Sequence, residues 1–497
     1  MMKPKRARLI FGSITALWLT ATAPLVCAAG GDLLWEDRFD LTGGFDSAEA
    51  VAVQEHRLFV FGQGQVPSVN GIEDFDWIIR AYDRLSGTLL WQDQVDGGLD
   101  IAENARAIAV HGRHVLAVGA AGGNGDGDYW VRAYDANTGR LRWEDRIVNP
   151  AGSETAADVV IQGQKAFVVG TRVKVYDVKR GTVIWEDPEG SGEAIAISGN
   201  TMFTAGSRNG DFSVRAYHSK TGVLLWEDLS DLSGGQDTAT DLEVHKDRVI
   251  AVGSAGDFPN RDFVVRAYEP KTGALRWEDR LDLGTVDEAT AVDIKNRYAY
   301  VVGRVRPSGS SDFIVRAYDR KTGALRWEDT VDFFGGNDIA RTVTVAGGQV
   351  FVGGSLQEAG FSNPGIVVRA YDAKSGGLNW MDQLVAPQAS GIKGIASLGG
   401  QVHAVGSLSL DFLVRTYAAN SGRGCVKTKG DFRKWDTGKT VKKKHHKNHH
   451  ERHHGYNHDD DCDDAEKHHG KHKEKGHHKR HYSKHHDDDR NDDHQKR

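Results

Sequence analysis

The stretch Asp262–Arg280, DFVVRAYEPKTGALRWEDR, returns along the chain in near-copies: DYWVRAYDANTGRLRWEDR from Asp128, DFSVRAYHSKTGVLLWEDL from Asp211 and DFIVRAYDRKTGALRWEDT from Asp312. Within it Phe263, Val265 and Ala267 alternate with Val264, Arg266 and Tyr268. A period of two predicts a strand whose two faces are both needed for packing. Residues 269–273, EPKTG, are turn formers, and Gly273 is free to take positive φ. ALRWEDR reads as the returning strand. The phrase is therefore a β-hairpin, and its recurrence asks whether it is a repeated site or a repeated building unit.

Spacing answers for the unit. A Trp-Glu-Asp-like element occurs at Trp35, Trp91, Trp143, Trp185, Trp226, Trp277, Trp327 and Trp380, at steps of 56, 52, 42, 41, 51, 50 and 53 residues. Periods of this size indicate a solenoid or a propeller. Ahead of each hairpin lie two further short apolar segments, such as ATAVDI and YAYVVG before DFIVRAY. Each repeat then has four strands, A to D, and no segment periodic enough for a helix. A four-stranded sheet that is apolar on both faces must be covered on both, which radial packing achieves. The third-strand Arg or Lys occurs at 80, 132, 174, 215, 266, 316, 369 and 415, giving eight blades. The last copy lacks its Trp strand, and Trp35 lacks a third strand before it. DLLWEDRF is therefore expected to complete the last blade and close the ring. The sequence predicts an all-β, eight-bladed propeller of antiparallel blades over residues 30–424.

Ala317, Asp319, Thr322, Gly323 and Trp327 form the pattern Ala-x-Asp-x-x-Thr-Gly-x-x-x-Trp. This resembles the tryptophan-docking repeat of the PQQ-like (quinoprotein) β-propellers. The resemblance implies the eight tryptophans as structural docking residues. The family includes PQQ-dependent dehydrogenases and non-catalytic envelope scaffolds of the BamB type. The adjacent Cys-Cys pair of many quinoprotein alcohol dehydrogenases is absent, and no Ser-His-Asp set, zinc spacing or phosphate-cradling loop stands out in the body. The expectation is a scaffold of the BamB-like branch without PQQ or catalytic residues; the alternatives are a PQQ-dependent oxidoreductase and an envelope metal-binding or metal-buffering protein.

Two intervals are constant: 11 residues from the third-strand Arg or Lys to Trp, and 11 from the first-strand apolar anchor to the second-strand Gly. The B–C and D–A connections vary, and an up-down blade puts both on one face. Variable loops on a rigid scaffold are where binding usually resides. A carboxylate recurs five residues before the first-strand anchor, at Asp46, Glu103, Glu154, Asp237, Asp287 and Asp338, with Gly190 and Ser390 breaking the series. Two readings are open: each caps its own tight turn, or together they ring the channel mouth and attract a cation or basic partner.

The chain ends differ from the body. Lys3, Lys5, Arg6 and Arg8 precede an apolar stretch that ends in Cys27-Ala28-Ala29, the order of a secretory signal peptide over 1–29. The bulky Val26 departs from lipoprotein signals, which argues against lipidation at Cys27. Of 63 Lys and Arg, 20 lie from Cys425 onward and 4 in the leader; of 69 Asp and Glu, 15 and none. The 29–424 body thus carries 39 basic and 54 acidic residues, net −15, which excludes a nucleic-acid-binding body. Residues 425–497 hold 16 of 22 histidines and almost no aliphatic residue. Such a tail cannot bury a core and is expected to be disordered. His445, His446, His449, His450, His453, His454, His458, His468, His469, His472, His477, His478, His481, His485 and His486, interspersed with Asp, are candidate ligands for Ni²⁺, Cu²⁺ or Zn²⁺. The full expectation is a monomeric periplasmic or secreted protein, not transmembrane after cleavage, with a protein partner in the envelope. Cys425 and Cys462 are left to pair or stay free.

Overall fold

A computed structural model describes residues 29–67, 74–98, 103–122, 127–148, 152–360, 364–386, 388 and 390–420. The signal segment up to residue 28, all three cysteines and the His-rich tail lie outside the described residues. Thirty-two strands, β1 (Leu33–Phe39) to β32 (Asp411–Ala418), form eight four-stranded sheets. Seven are consecutive meanders. The eighth has the order β1-β32-β31-β30, so the N-terminal strand completes the last blade as expected. Among the described residues no helix is long and apolar enough to cross a membrane.

The period-two pattern of DFVVRAY is spent on two different neighbours. Val264 and Tyr268 pack with Phe203, Phe212 and Val214 of the preceding blade. Phe263, Val265 and Ala267 pack with Val292, Val301 and Ile314 of the following blade. Every residue of this third strand from Phe263 to Tyr268 is buried, Arg266 included. Alternation here encodes inter-blade packing on both sides, with no solvent face.

The Trp-Glu-Asp phrase is the fastener. Each of the eight indoles donates its Nε1–H to a carbonyl in the C–D turn of the next blade, as Trp277 does to Arg320 at 2.9 Å and Trp35 to Arg84 at 2.9 Å. The ring packs beside the next blade's buried tyrosine, Trp277 to Tyr318 at 5.8 Å between centroids. The turn glycine rests on the same indole: Gly323 has φ +74°, and a Cβ there would lie 2.8 Å from Trp277 Cδ2. This is why the motif demands Gly. At the ring closure Gly31, φ +89°, occupies the equivalent place over Trp380. The Asp of the phrase also crosses the seam. Asp279 accepts from Arg316 at 2.6 Å and from Tyr318 Oη at 2.7 Å, while Glu328 of the same hairpin takes Arg316 Nε at 2.7 Å. The Glu thus pairs within its own hairpin, whereas the Asp reaches the next blade.

The first strands are innermost, each touching the first strands of both neighbours, and so line the axis. Blade length is least at the third and fourth blades, where three successive strands (Val173–Asp177, Val183–Asp187, Ala194–Ser198) have five residues each. The second and third strands are long in the first blade, where Arg57–Val66 pairs with Asp74–Asp83 out to Val66 and Asp74, and in the sixth, where Tyr298–Ser308 pairs with Ser310–Asp319.

Candidate functional site

Seven of the eight first strands carry a β-bulge at the same place. The extra residue is Glu49, Arg106, Ala157, Thr240, Thr290, Arg341 or Lys393 in blades 1, 2, 3, 5, 6, 7 and 8. A bulge breaks the ladder at one residue and re-aims its side chain. These positions lie near the start of the first strand, hence toward the variable-loop face. Here the repeat varies in chemistry while its backbone repeats.

Two of the bulge residues serve the ring. Thr240 donates its Oγ1–H to Ala289 O at 2.8 Å, and Thr290 to Ala340 O at 2.6 Å, tying successive blades. The four from blades 7, 8, 1 and 2 line a cavity of about 500 Å³ together with Gln63 and Asn104. Lys393 pairs with Glu49 across the closure. Arg106 and Arg341 make no hydrogen bond or ion pair among the described residues. Burial, and then the neighbouring Arg304, hold the Arg341 guanidinium below the usual arginine range. The mouth thus has three cations and one carboxylate, two of the cations uncommitted.

The axis is acidic elsewhere. Asp158 accepts from Ile195 N at 3.0 Å, Asp241 from Val292 N at 2.8 Å and Asp293 from Val345 N at 2.7 Å. Each clasps the next first strand but one residue position away from the anchor of its own. Burial pushes Asp158 up to about 6, and burial with Asp293 and Asp158 nearby pushes Glu243 up to about 7. These groups belong to blades 3, 5 and 6, so the inner wall is divided between a cationic and an acidic sector.

The six recurring carboxylates take the turn-capping geometry. Asp46 accepts from Leu41 N and Gln65 N, Asp237 from Leu232 N and Gly256 N, Asp287 from Leu283 N and Arg306 N, Asp338 from Phe333 N and Gln357 N, at 2.5 to 3.1 Å. Each fastens the D–A connection to the second strand of its own blade. Glu103 accepts from Gly97 N at 3.0 Å, and Glu154 binds Arg172 and Thr171. All six are at most 7% exposed. Of the two open readings, these bonds are those of turn capping: the turns engage the carboxylates, because an extended loop entering a strand leaves N–H groups that only a nearby acceptor can satisfy. Burial raises Asp46 to about 6 and Asp338 to about 7. The eight tryptophans are brought together pairwise with their neighbours around the ring, as docking groups. The fifteen candidate histidines of the tail lie outside the described residues.

The bulge residues were not singled out in the sequence. A signal existed: at two residues before the first-strand anchor the copies read Glu, Arg, Ala, Glu, Thr, Thr, Arg and Lys. That scatter stands beside apolar positions that hardly change.

The family model described as outer membrane protein assembly factor BamB matches residues 127–310 and 299–416, more than half of the chain. The chain belongs to the PQQ-like β-propeller family. Similar solved structures include the quinohemoprotein alcohol dehydrogenase ADHIIG from Pseudomonas putida HK5, 15% identical with a TM-score of 0.52 over 81% of this chain and 78% of that one. A europium-containing methanol dehydrogenase is 14% identical, with a TM-score of 0.52 over 78% and 93%. BamB from Moraxella catarrhalis is 15% identical, with a TM-score of 0.49 over 77% and 100%. At these identities the likeness is one of fold. No curated protein matches the sequence.

Proposed function

We propose that the protein is an exported, non-enzymatic propeller scaffold of the cell envelope that holds a protein partner on its variable-loop face. The observation that carries this reading is the axial mouth. The hairpins that lock the blades are uniform, whereas chemistry departs from the repeat at bulge residues facing one cavity, with Arg106 and Arg341 uncommitted. The mouth is positive within a body of net charge −15. An acidic group of a partner is drawn to this place and repelled around it, which favours one docking orientation. Membership of a family described by an outer-membrane assembly factor supports an envelope setting.

A redox quinone fits the mouth poorly. Among the described residues no aromatic side chain lines the cavity to stack on a planar ring system, and the one carboxylate there is engaged by Lys393. No catalytic step is derived through such a group. The His-rich tail is read as an added site for Ni²⁺, Cu²⁺ or Zn²⁺, to be tested by equilibrium metal binding to the full chain and to the chain ending before Cys425.

In-cell crosslinking and affinity capture from envelopes test the scaffold, comparing the wild type with Arg106→Glu/Arg341→Glu. One defined partner captured by the wild type and lost from the variant is the expected result. Undiminished capture by the variant overturns the role of the mouth. Turnover of an alcohol with PQQ, Ca²⁺ and a dye acceptor overturns the non-enzymatic reading.

A further inference from the structure

At the seam between the first and second blades, Asp74 and Asp76 of the third strand (Asp74–Asp83) meet Glu103 at the start of the next blade's first strand (Glu103–His111). One carboxylate oxygen from each lies within 4.8 Å of the other two. All three residues are buried, at 7%, 5% and 0% exposure. Glu103 Oε1 accepts from Gly97 N, but Oε2, in a side chain without any exposure, has no hydrogen-bond donor.

The repeat itself shows what is unusual here. Asp76 stands four residues before the third-strand arginine, where Asp128 and Asp262 stand in their blades. There the position three after Trp is an arginine: Arg146 pairs with Asp128 at 2.8 Å and also donates to Gly97 O, and Arg280 pairs with Asp262 and donates to Leu232 O. In the first blade that position is Gln94, a neutral side chain that donates to Asp76 at 2.5 Å. Asp74 adds an acid on the same strand face. Leu229 and Thr330 are likewise neutral beside Asp211 and Asp312, so what sets this seam apart is Asp74 joined to Asp76 where the second and fifth blades have an arginine. Burial, and then the charges of Asp74 and Asp76, push the Glu103 carboxyl up to about 9.

We propose that Asp74, Asp76 and Glu103 hold one divalent cation of the calcium class, which takes the place of the seam arginine. Three carboxylates and no nitrogen or sulfur donor select a hard ion with oxygen ligands, and calcium tolerates the irregular shell that carbonyls and water would complete. The ion clamps the second blade's first strand to the first blade beside the cationic sector of the mouth.

Terbium and calcium are the probes, used on the full chain. Trp130 lies close by, since a Cβ on Gly97 would sit 2.1 Å from Glu103 Oε1 and 3.2 Å from the Trp130 ring. It stacks on Trp77 at 4.6 Å. Tryptophan-sensitised terbium emission should therefore saturate and be displaced by Ca²⁺. Ca²⁺ should also raise the midpoint of thermal unfolding. Asp74→Asn and Glu103→Gln should weaken both effects by roughly ten-fold or more. Gln94→Arg installs the arrangement that Arg146 and Arg280 make in their blades, so it should abolish the emission while unfolding at or above the wild-type temperature in chelator. The tail is common to every protein compared and cancels. Emission that is absent, or that is equal in the wild type and all three variants, overturns the site.

Discussion

Replacing His403 with phenylalanine and Thr416 with alanine should stabilise the propeller, and more so in mild acid. The second-strand position occupied by His403 is Phe59, Leu116, Phe167, Phe203, Ile250, Tyr300 or Phe351 in the other blades, and Thr416 stands where six blades have Ala. Both are fully buried. His403 Nδ1 is 2.8 Å from Thr416 Oγ1, and Nε2 has no partner. Burial, and then the positive charge of Arg84, hold the imidazole down to about 3. In the unfolded chain it titrates near 6.5. Between these values the unfolded state takes a proton that the folded state refuses, so this group's contribution falls steadily as pH drops below 6.5. At pH 5 the penalty is 2.303RT times about 1.5 units, or about 2 kcal/mol. At pH 7.5 it has vanished. Removing both hydrogen-bonding partners together avoids orphaning either one. Urea unfolding of both proteins at pH 5 and pH 7.5 should show a gain about 2 kcal/mol larger at pH 5. An equal gain at the two pH values, or a loss at pH 5, would refute the neutral buried histidine.

Gly323→Ala must place a methyl 2.8 Å from the Trp277 ring at φ +74°; a loss of about 1–3 kcal/mol in urea unfolding is expected, against a near-neutral change for Gly377→Ala, which meets no atom closer than 3.4 Å. Asp279→Ala leaves the Tyr318 hydroxyl buried without its acceptor and Arg316 with Glu328 alone, which should cost about 1–3 kcal/mol by the same measurement. Asp338, with a folded value near 7 against about 3.9 unfolded, contributes stability that is complete below pH 4 and lost as pH rises to about 7. In Asp338→Asn the fall of stability between pH 4 and 7 should therefore be shallower, read as the thermal midpoint against pH.

The architecture was legible because a propeller writes itself in one dimension. Trp spacing, the period-two third strand and the complementary half-blades at Trp35 and Arg415 are local or strictly periodic. Each copy independently reports the same geometry, so one atypical blade does not hide it. Even the missing eighth Trp told where β1 pairs.

The site was far less legible. Asp46 and its equivalents recur at a fixed place in six of the eight blades, and that regularity alone could not separate a ring of open carboxylates from repeated turn chemistry. Where a carboxylate points depends on which N–H groups the folded loop leaves over. Arg106, Arg341, Lys393 and Glu49 are some 344 residues apart at the extremes and become one cavity only because the ring closes between the eighth and first blades. Sequence alone determined the blade, its number and its fasteners, since these arise from contacts within a repeat or between consecutive ones. Tertiary closure decided which symmetry-breaking side chains share a wall, because only the completed circle brings blades 7, 8, 1 and 2 around the same axial space.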